Sequence, residues 1–508
     1  MKASFKVIVV LLFSLVGLQL CAQDGSNVYG KIIDSKTGKE IAFATVLMKD
    51  SKRGVIADEN GGFVIPASAL STYEGLEITC IGYKTGYVNM LTLKKNEVNI
   101  IKLEVAISAL DEVVVKAEKK RLSAKQIVKR AIKEIPKNYS DTAYSYVAYY
   151  RDYQKDNADY VNLNEAIVQI HDEGFGTGDR TTTKISLHDY RTNNDFKRTP
   201  ELLVDYDNRS KKFIPQARID PSGGNELTIL MAHDAIRNYD FPSYSFMYIM
   251  KKHFVKHHNF NLTKITQINN ENLYVIDFKL KPVISSYYLV TGQLFINRNT
   301  FAIHKLEYTL YEKKKKSKEQ IFNVKVEYAE QFGHMYLNYI SFNNTFKAPD
   351  PKDFSIVEAT YNPYKESMSI TFNHPYKDDN IHKRSNYNIF IDGQKVPVKK
   401  VLTDALNNKK LKLLLDFNGE QPPIITDDSV ERVSVNISNI TNEEGRVLGA
   451  LSYLKYKQYR ELFVQELLSE NNSNTLFIDK FKSLKDGNIT QSLEKDRYWM
   501  NTPLNTSN

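Results

Sequence analysis

Side chains that alternate between apolar and polar character with a period of two commit a chain to extended strands, and this chain keeps that period over most of its length. Between Ser26 and Val115 the runs VYGKII, ATVLMK, GFVIP, LEITCIGY and VNIIKLE are short, with turn chemistry between them at Thr37-Gly38, Asn60-Gly61-Gly62 and Tyr73-Glu74-Gly75. That spacing predicts a small two-sheet sandwich. From Tyr144 the runs lengthen: YSYVAYYRDY, NLNEAIVQIHDEG, NLYVIDFKLKP, YLVTGQLFINRNTFAIHKLEYTLYE, QIFNVKVEYAEQF and MYLNYISFNNTF. They predict a large curved antiparallel sheet with tight turns. The 32 tyrosines and 25 phenylalanines, against one tryptophan, fit a mainly β chain.

Helical signals are few. Ser123 and Gln126 have capping-box spacing, and Ile127, Val128, Ala131, Ile132 and Ile135 share one face, so a helix is expected from Ser123 to about Ile135 with Pro136 as its stop. Leu227, Leu230, Met231, Asp234 and Ile236 predict a second between Leu227 and Tyr239. The segment KYKQYRELFVQELL after residue 450 reads as helix-like. Trp499, close to a polar TPLNTSN finish, leaves two readings open, docking onto an earlier domain or a loose end.

Residues 1–23 have the form of a secretory leader, with Lys2 and Lys6 ahead of the apolar VIVVLLFSLVGLQL and a small residue, Ala22, at the expected cleavage position. Cys21 invites a lipid anchor, but Leu20 stands where a lipobox places a small residue, so export alone is the preferred reading. Once the leader leaves, Cys80 is the one remaining cysteine, and no intramolecular disulfide can form. Stability must then come from apolar cores, for which 508 residues at 42% hydrophobic content supply three or so domains. The net charge of +9 becomes +7 without Lys2 and Lys6. In an exported protein that balance points to phospholipid headgroups, lipopolysaccharide or acidic glycans and away from nucleic acid. The densest basic run, Lys313 to Lys316 with Lys318, lies between two alternating runs and reads as a hairpin tip.

Several stretches resemble known families. Gly30, Asp34 and Gly38, then Asp58 to Phe63, then Gly82-Tyr83 match the opening strand and turn, the hairpin and a later strand of the carboxypeptidase regulatory-like domain, common at the front of exported proteins of Bacteroidetes-type bacteria. The resemblance implies an accessory transthyretin-like β-sandwich without catalytic residues. Leu110 to Val115 resembles the segment that joins this domain to the rest of outer-membrane receptors, but no plug and barrel follow. GQLFINRNTFAIHKLEYT has the rhythm of lipoprotein-carrier folds, in which a curved half-barrel wraps an apolar cavity. ATYNP, SMSITFNHP, YNIFIDGQKVPV, LKLLLDF and VERVSVNISNITNEEGRVLG resemble a bacterial immunoglobulin-like domain, on Phe372, Pro375, Asp392-Gly393 and the ITNEEG turn.

Reactive chemistry is sparse. His304 and Glu307 fit the short HxxE pattern of metallocarboxypeptidases, yet on a strand the two side chains fall on opposite faces, so an exposed strand pair is the preferred reading. His253 and His257, with His258 beside them, have ligand spacing on a helix. No carboxylate or cysteine completes the set, and Lys251, Lys252 and Lys256 would repel a cation; a solvated basic helix end, or a patch facing lipid or glycan, accounts for them. Cys80 is expected in a buried strand, where a thiol is inert. Asp58-Glu59-Asn60-Gly61-Gly62 reads as a hairpin turn and not as a calcium loop. Tyr144, Tyr146, Tyr149, Tyr150 and Tyr153, together with Tyr244, Phe246 and Tyr248, could line a sugar-stacking face but fit core positions better. No nucleophile elbow and no phosphate-cradling glycine loop occur.

The sequence therefore predicts a mainly β exported protein: leader 1–23, regulatory-like sandwich 26–115, linker and helix 116–139, antiparallel β-rich domain 140–346, immunoglobulin-like sandwich 353–449 and tail 450–508. It is expected in the periplasm or at the outer membrane or cell surface, as a non-enzymatic binding or scaffold protein without a cofactor, with an envelope protein or glycan as partner. Two alternatives stay open: a hydrolase of peptides or glycans assembled from distant strands, and a lipid or lipoprotein carrier with an apolar cavity within residues 140 to 346.

Overall fold

The computed structural model describes residues 27–51, 53–106, 122–206, 212–214, 225–241, 250–314, 317–404, 406–425, 432–468, 476–490 and 497–501, with the backbone alone at 251–252. The leader with Cys21, the Leu110 to Val115 segment and its basic linker, Lys315, Lys316, Tyr244, Phe246 and Tyr248 lie outside the described residues. The protein is mainly β and divides into two compact units. The first takes in the described residues up to 206, those of 213–346 and those of 456–501; the second takes in Lys212 and the described residues of 347–455.

The first unit opens with seven strands in two sheets: β1 (Asn27–Asp34), β2 (Thr45–Met48), β3 (Gly54–Ile56), β4 (Gly62–Pro66), β5 (Gly75–Thr79), β6 (Gly86–Asn89) and β7 (Val98–Leu103). One sheet has the order β4-β1-β7, the other β3-β2-β5-β6, and Val28, Ile32, Val46, Phe63, Ile65, Ile78 and Leu103 fill the space between them. Gly30 lies under the Phe63 ring, where a Cβ would come within 2.1 Å of it, so no larger residue fits. Asp58 Oδ1 accepts from the amides of Asn60, at 2.8 Å, and Gly62, at 2.9 Å, fixing the turn that the sequence marks. That turn does not close a hairpin as expected: β3 and β4 belong to different sheets, and it carries the chain from one to the other.

The same unit contains a ten-stranded sheet. Its strands are β8 (Tyr144–Asp156), β9 (Asp159–Asp172), β10 (Lys184–Thr192), β11 (His258–Ile268), β12 (Glu271–Leu280), β13 (Tyr288–Asn297), β14 (Ile303–Lys313), β15 (Lys318–Gln331), β16 (His334–Pro349) and β24 (Tyr453–Leu468), in the order β10-β9-β8-β24-β16-β15-β14-β13-β12-β11. β14 and β15 form a hairpin, with Lys313 opposite Lys318 at its end. Nearly every residue of β8 is buried, so both faces of the sheet are covered there, and Tyr144, Tyr146, Tyr149, Tyr150 and Tyr153 are core residues. One face packs on the sandwich: Val147, Tyr149, Ile167, Tyr339 and Phe463 meet Phe43 and Ile56, with Phe43 stacked on Tyr339 at 4.6 Å.

Helix α1 (Ala124–Lys133) has the predicted capping box and buries Ile127, Val128, Ala131 and Ile132. Pro136 does not end it. α1 stops at Lys133, and Pro136 sits in the first turn of a further short helix at Ile135–Asn138, where its missing N–H has no intrahelical acceptor to lose. Helix α2 (Glu226–Ala232) is shorter than predicted, and Asp234 and Ile236 lie in the turns that follow it.

The tail departs most from expectation. KYKQYRELFVQELL is not helical: it is β24, inserted between β8 and β16 in the middle of the sheet. Trp499 docks. It packs against the core of the sandwich, its Nε1 donates to Val64 O at 2.7 Å, and Asn501 accepts from Val64 N at 2.6 Å, so the outward backbone groups of the edge strand β4 are covered.

The second unit is a two-sheet sandwich, the architecture expected of an immunoglobulin-like domain. β17 (Ile356–Asn362), β18 (Ser367–Phe372), β21 (Val398–Thr403) and β22 (Lys410–Leu415) form one sheet in the order β17-β18-β22-β21. β19 (Tyr387–Ile391), β20 (Gln394–Val396) and β23 (Val433–Ile437) form the other, and Met368, Ile370, Phe372, Ile389, Leu413 and Ile437 fill the core between them. Arg446 ties Asp350 and Asp353 together at 2.9 and 3.1 Å.

Candidate functional site

The face of the large sheet turned away from the sandwich carries α2, the turns after it and the helical segment Met250–Phe254, which continues into α3 (Val255–His257). Buried charge fastens this layer. On β24, Arg460 donates from Nε to Glu226 of α2 at 2.6 Å, from Nη1 to Asn344 at 2.7 Å and from Nη2 to the Tyr206 hydroxyl at 2.9 Å. Arg237 grips Asp172 with two hydrogen bonds of 2.8 Å, and the Tyr328 hydroxyl donates to Asp234 at 2.7 Å. Charge-assisted bonds of this geometry are the strong ones, and breaking one leaves a buried charge without its partner.

Towards β12, β13 and β14 the layer stands off the sheet and encloses a cavity of about 700 Å3, within the range of small-molecule sites, roughly 300–1,000 Å3. Alternate residues of the three strands form its floor: Leu280, then Tyr288 and Val290, then Tyr308 and Leu310. Met250, Phe254 and Ala235 face them, and Ile284 and Ser285 come from the β12–β13 connection. That connection also exposes Val283 and Tyr287, at 86% and 71%. The neighbouring Lys281 and the exposed Lys256 add positive charge.

The three histidines of the sequence reading are at this cavity, and their setting is not the expected one. His253 and His257 are brought together, with ring centroids 5.2 Å apart. His257 is held below the ordinary histidine range, first by partial burial and then by the nearby His253, Lys256 and Lys281. His258, in contrast, is no part of a solvated helix end. It opens β11, is 5% exposed, and has Phe254, Phe278 and Tyr308 around its ring at 4.7, 5.4 and 5.9 Å. Burial lowers it to about 4, which keeps the ring neutral at pH 7.

His304 and Glu307 are separated. His304 is the unpaired residue of a bulge in β14; it is buried, not exposed as expected, and its Nε2 lies 3.9 Å from Glu271. Glu307 pairs with Lys305, which also meets Glu327 at 2.8 Å. Among the described residues no group of three or more His, Cys, Asp and Glu is placed to hold a metal ion. Cys80 lies one residue beyond β5 and is partly accessible, where a buried strand position was expected; enclosure of its sulfur pushes the thiol up to about 12. With His304 and Glu327 it lines a smaller cavity of about 310 Å3.

Tyr308, Val290 and Leu310 were not singled out in the sequence, although their period-two spacing on adjacent strands is visible there. What period cannot show is that the covering layer stands away from these positions while it closes over β8.

With this geometry in place, comparison with known proteins is informative for one part of the chain. Residues 28–115 match the family model of the CarboxypepD_reg-like domain. The N-terminal sandwich is that domain. No curated protein matches the chain. Among solved structures, a LolA superfamily protein from Nitrosomonas europaea is 14% identical, with 44% of this chain and 86% of that one covered at a TM-score of 0.19. A putative outer membrane lipoprotein-sorting protein domain from Vibrio parahaemolyticus is 8% identical, with 44% and 85% covered at 0.20. Scores that low establish no common shape.

Proposed function

We propose that the protein is an exported, non-enzymatic binding protein of the cell envelope whose large sheet holds an amphiphile: an alkyl chain in the cavity and an anionic head at the rim. The observation that carries this reading is the cavity of about 700 Å3, walled by Leu280, Val290, Phe254, Leu310 and Met250, with His253 and His257 in its lining and Lys256 and Lys281 close to His257. Apolar walls favour a chain removed from water by roughly 25 cal/mol per Å2 buried, and cationic rim groups favour an anionic head. The CarboxypepD_reg-like sandwich is consistent with a binding role and supplies a surface for an envelope protein or glycan. The leader-like residues 1–23 support a periplasmic or outer-membrane location.

Titration of the purified protein with a dansyl-labelled undecanoic acid tests the reading. Saturable binding is expected, and Val290→Trp, which fills the cavity from its floor, should weaken it about tenfold or more, a change of ~1.4 kcal/mol. Thermal unfolding of the variant serves as the folding control. Absence of binding by the wild type, or binding unchanged in a folded Val290→Trp protein, would overturn the proposal.

A further inference from the structure

Resting on the amphiphile reading, we infer that the ligand's chain carries a hydroxyl group, and that His258 Nε2 is the acceptor for it. The ring geometry fixes the chemistry of that nitrogen. His258 Nδ1 lies 2.8 Å from Phe254 O, and a carbonyl oxygen can only accept, so the Nδ1 position holds the proton. In the neutral ring Nε2 is then a bare lone pair. It is buried and has no hydrogen-bond partner among the described residues. An acceptor left so is unfavourable by an amount that natural folds seldom tolerate without a role.

The surroundings say what kind of partner would suit it. Phe254, Phe260, Phe278 and Tyr308 all place their rings within 6.4 Å of the imidazole, and His258, Phe254 and Tyr308 line the apolar cavity. A water held there would want two to four polar neighbours, and this aromatic box offers few. A hydroxyl on an alkyl chain meets both demands: its carbon chain lies against the apolar walls, and its O–H donates to Nε2. An unsubstituted chain would leave the lone pair as it is.

The experiment compares hexadecanoic acid with its 3-, 8- and 12-hydroxy derivatives by calorimetric titration of the full chain, in wild type and in His258→Phe. At least one hydroxylated chain should bind about fivefold more tightly than the parent acid, the scale of one additional buried hydrogen bond. His258→Phe should remove that gain, with thermal unfolding of the variant as the folding control. A second readout needs no variant: the 15N resonance of His258 Nε2 should move on addition of the preferred hydroxy acid and not with the parent. Equal affinities for all four acids, a gain that survives His258→Phe, or an unmoved Nε2 resonance would overturn the inference and leave the amphiphile reading standing. If none of the four acids binds, the amphiphile reading itself falls.

Discussion

Arg151 on β8 and Glu461 on β24 face each other in the middle of the sheet, 2.5 Å apart from Nε to Oε2, with side chains only 2% and 3% exposed, and the Tyr339 hydroxyl donates to the same carboxylate at 3.1 Å. Such a pair contributes more to uniqueness of pairing than to net stability, because desolvating both charges offsets most of their attraction. Arg151→Met alone leaves a buried carboxylate without its cation and should cost about 3–5 kcal/mol in urea unfolding. Replacing all three groups, with Arg151→Met, Glu461→Leu and Tyr339→Phe, should restore most of that loss. A triple variant as unstable as the single one would show that the pair is a net stabiliser. Sequence gives little warning of these positions: Arg and Glu in YRDY and YRELF look like solvent-facing residues until β24 is known to lie against β8.

At the scale of elements, legibility followed period and turn chemistry. The two sandwiches, the long hairpins and the capping box of α1 could all be read because their signals are local. β24 could not. Its buried polar residues Gln458, Arg460, Glu461 and Gln465 break the alternation that marks a strand, and they are tolerated only because partners from β8, α2 and β16, and for Gln465 the backbone of Trp499, satisfy them. The cavity was legible as a requirement of the carrier reading and not as a set of residues, since it depends on where the covering layer stands off the sheet. The docked C-terminal segment gives this scale its own test. Trp499→Ala should lower stability by about 2–4 kcal/mol, because a largely enclosed indole and its bond to Val64 O are both lost. Hydrogen exchange should show the Val64 amide, released with Asn501, losing protection before the amides of β1; unchanged exchange at Val64 would contradict the covering role.

Across the whole molecule the buried imidazoles set a pH response. Burial holds His233 down to about 3 and His258 and His304 down to about 4, against about 6.5 in an unfolded chain. Unfolding therefore takes up protons below pH 6.5, and stability that is fully present above that value is lost as the pH falls towards 4. Asp234 acts in the opposite sense: burial raises it to about 6, so its contribution is present below 3.8 and lost as the pH rises through 6. His188, lowered to about 4, and His257 join the histidines, while Asp179 and Glu271, both raised by burial, join Asp234; the histidines are the larger set, and the melting temperature should drop between pH 6.5 and 4, less steeply in His233→Phe than in the wild type. A melting curve flat over that range would contradict the assignment of neutral buried rings. The position of β24 has a further consequence, in time. The chain leaves the large sheet at β16, passes through the whole of residues 353–449, and returns as the strand that lies between β8 and β16. A polypeptide emerging from a ribosome or a secretion pore from its N-terminus onwards must keep those two strand edges open until the last piece arrives, while the inserted sandwich is already complete. During that interval the exposed edges invite mispairing, so production of this protein should depend on whatever holds nascent chains apart until synthesis has run past Leu468.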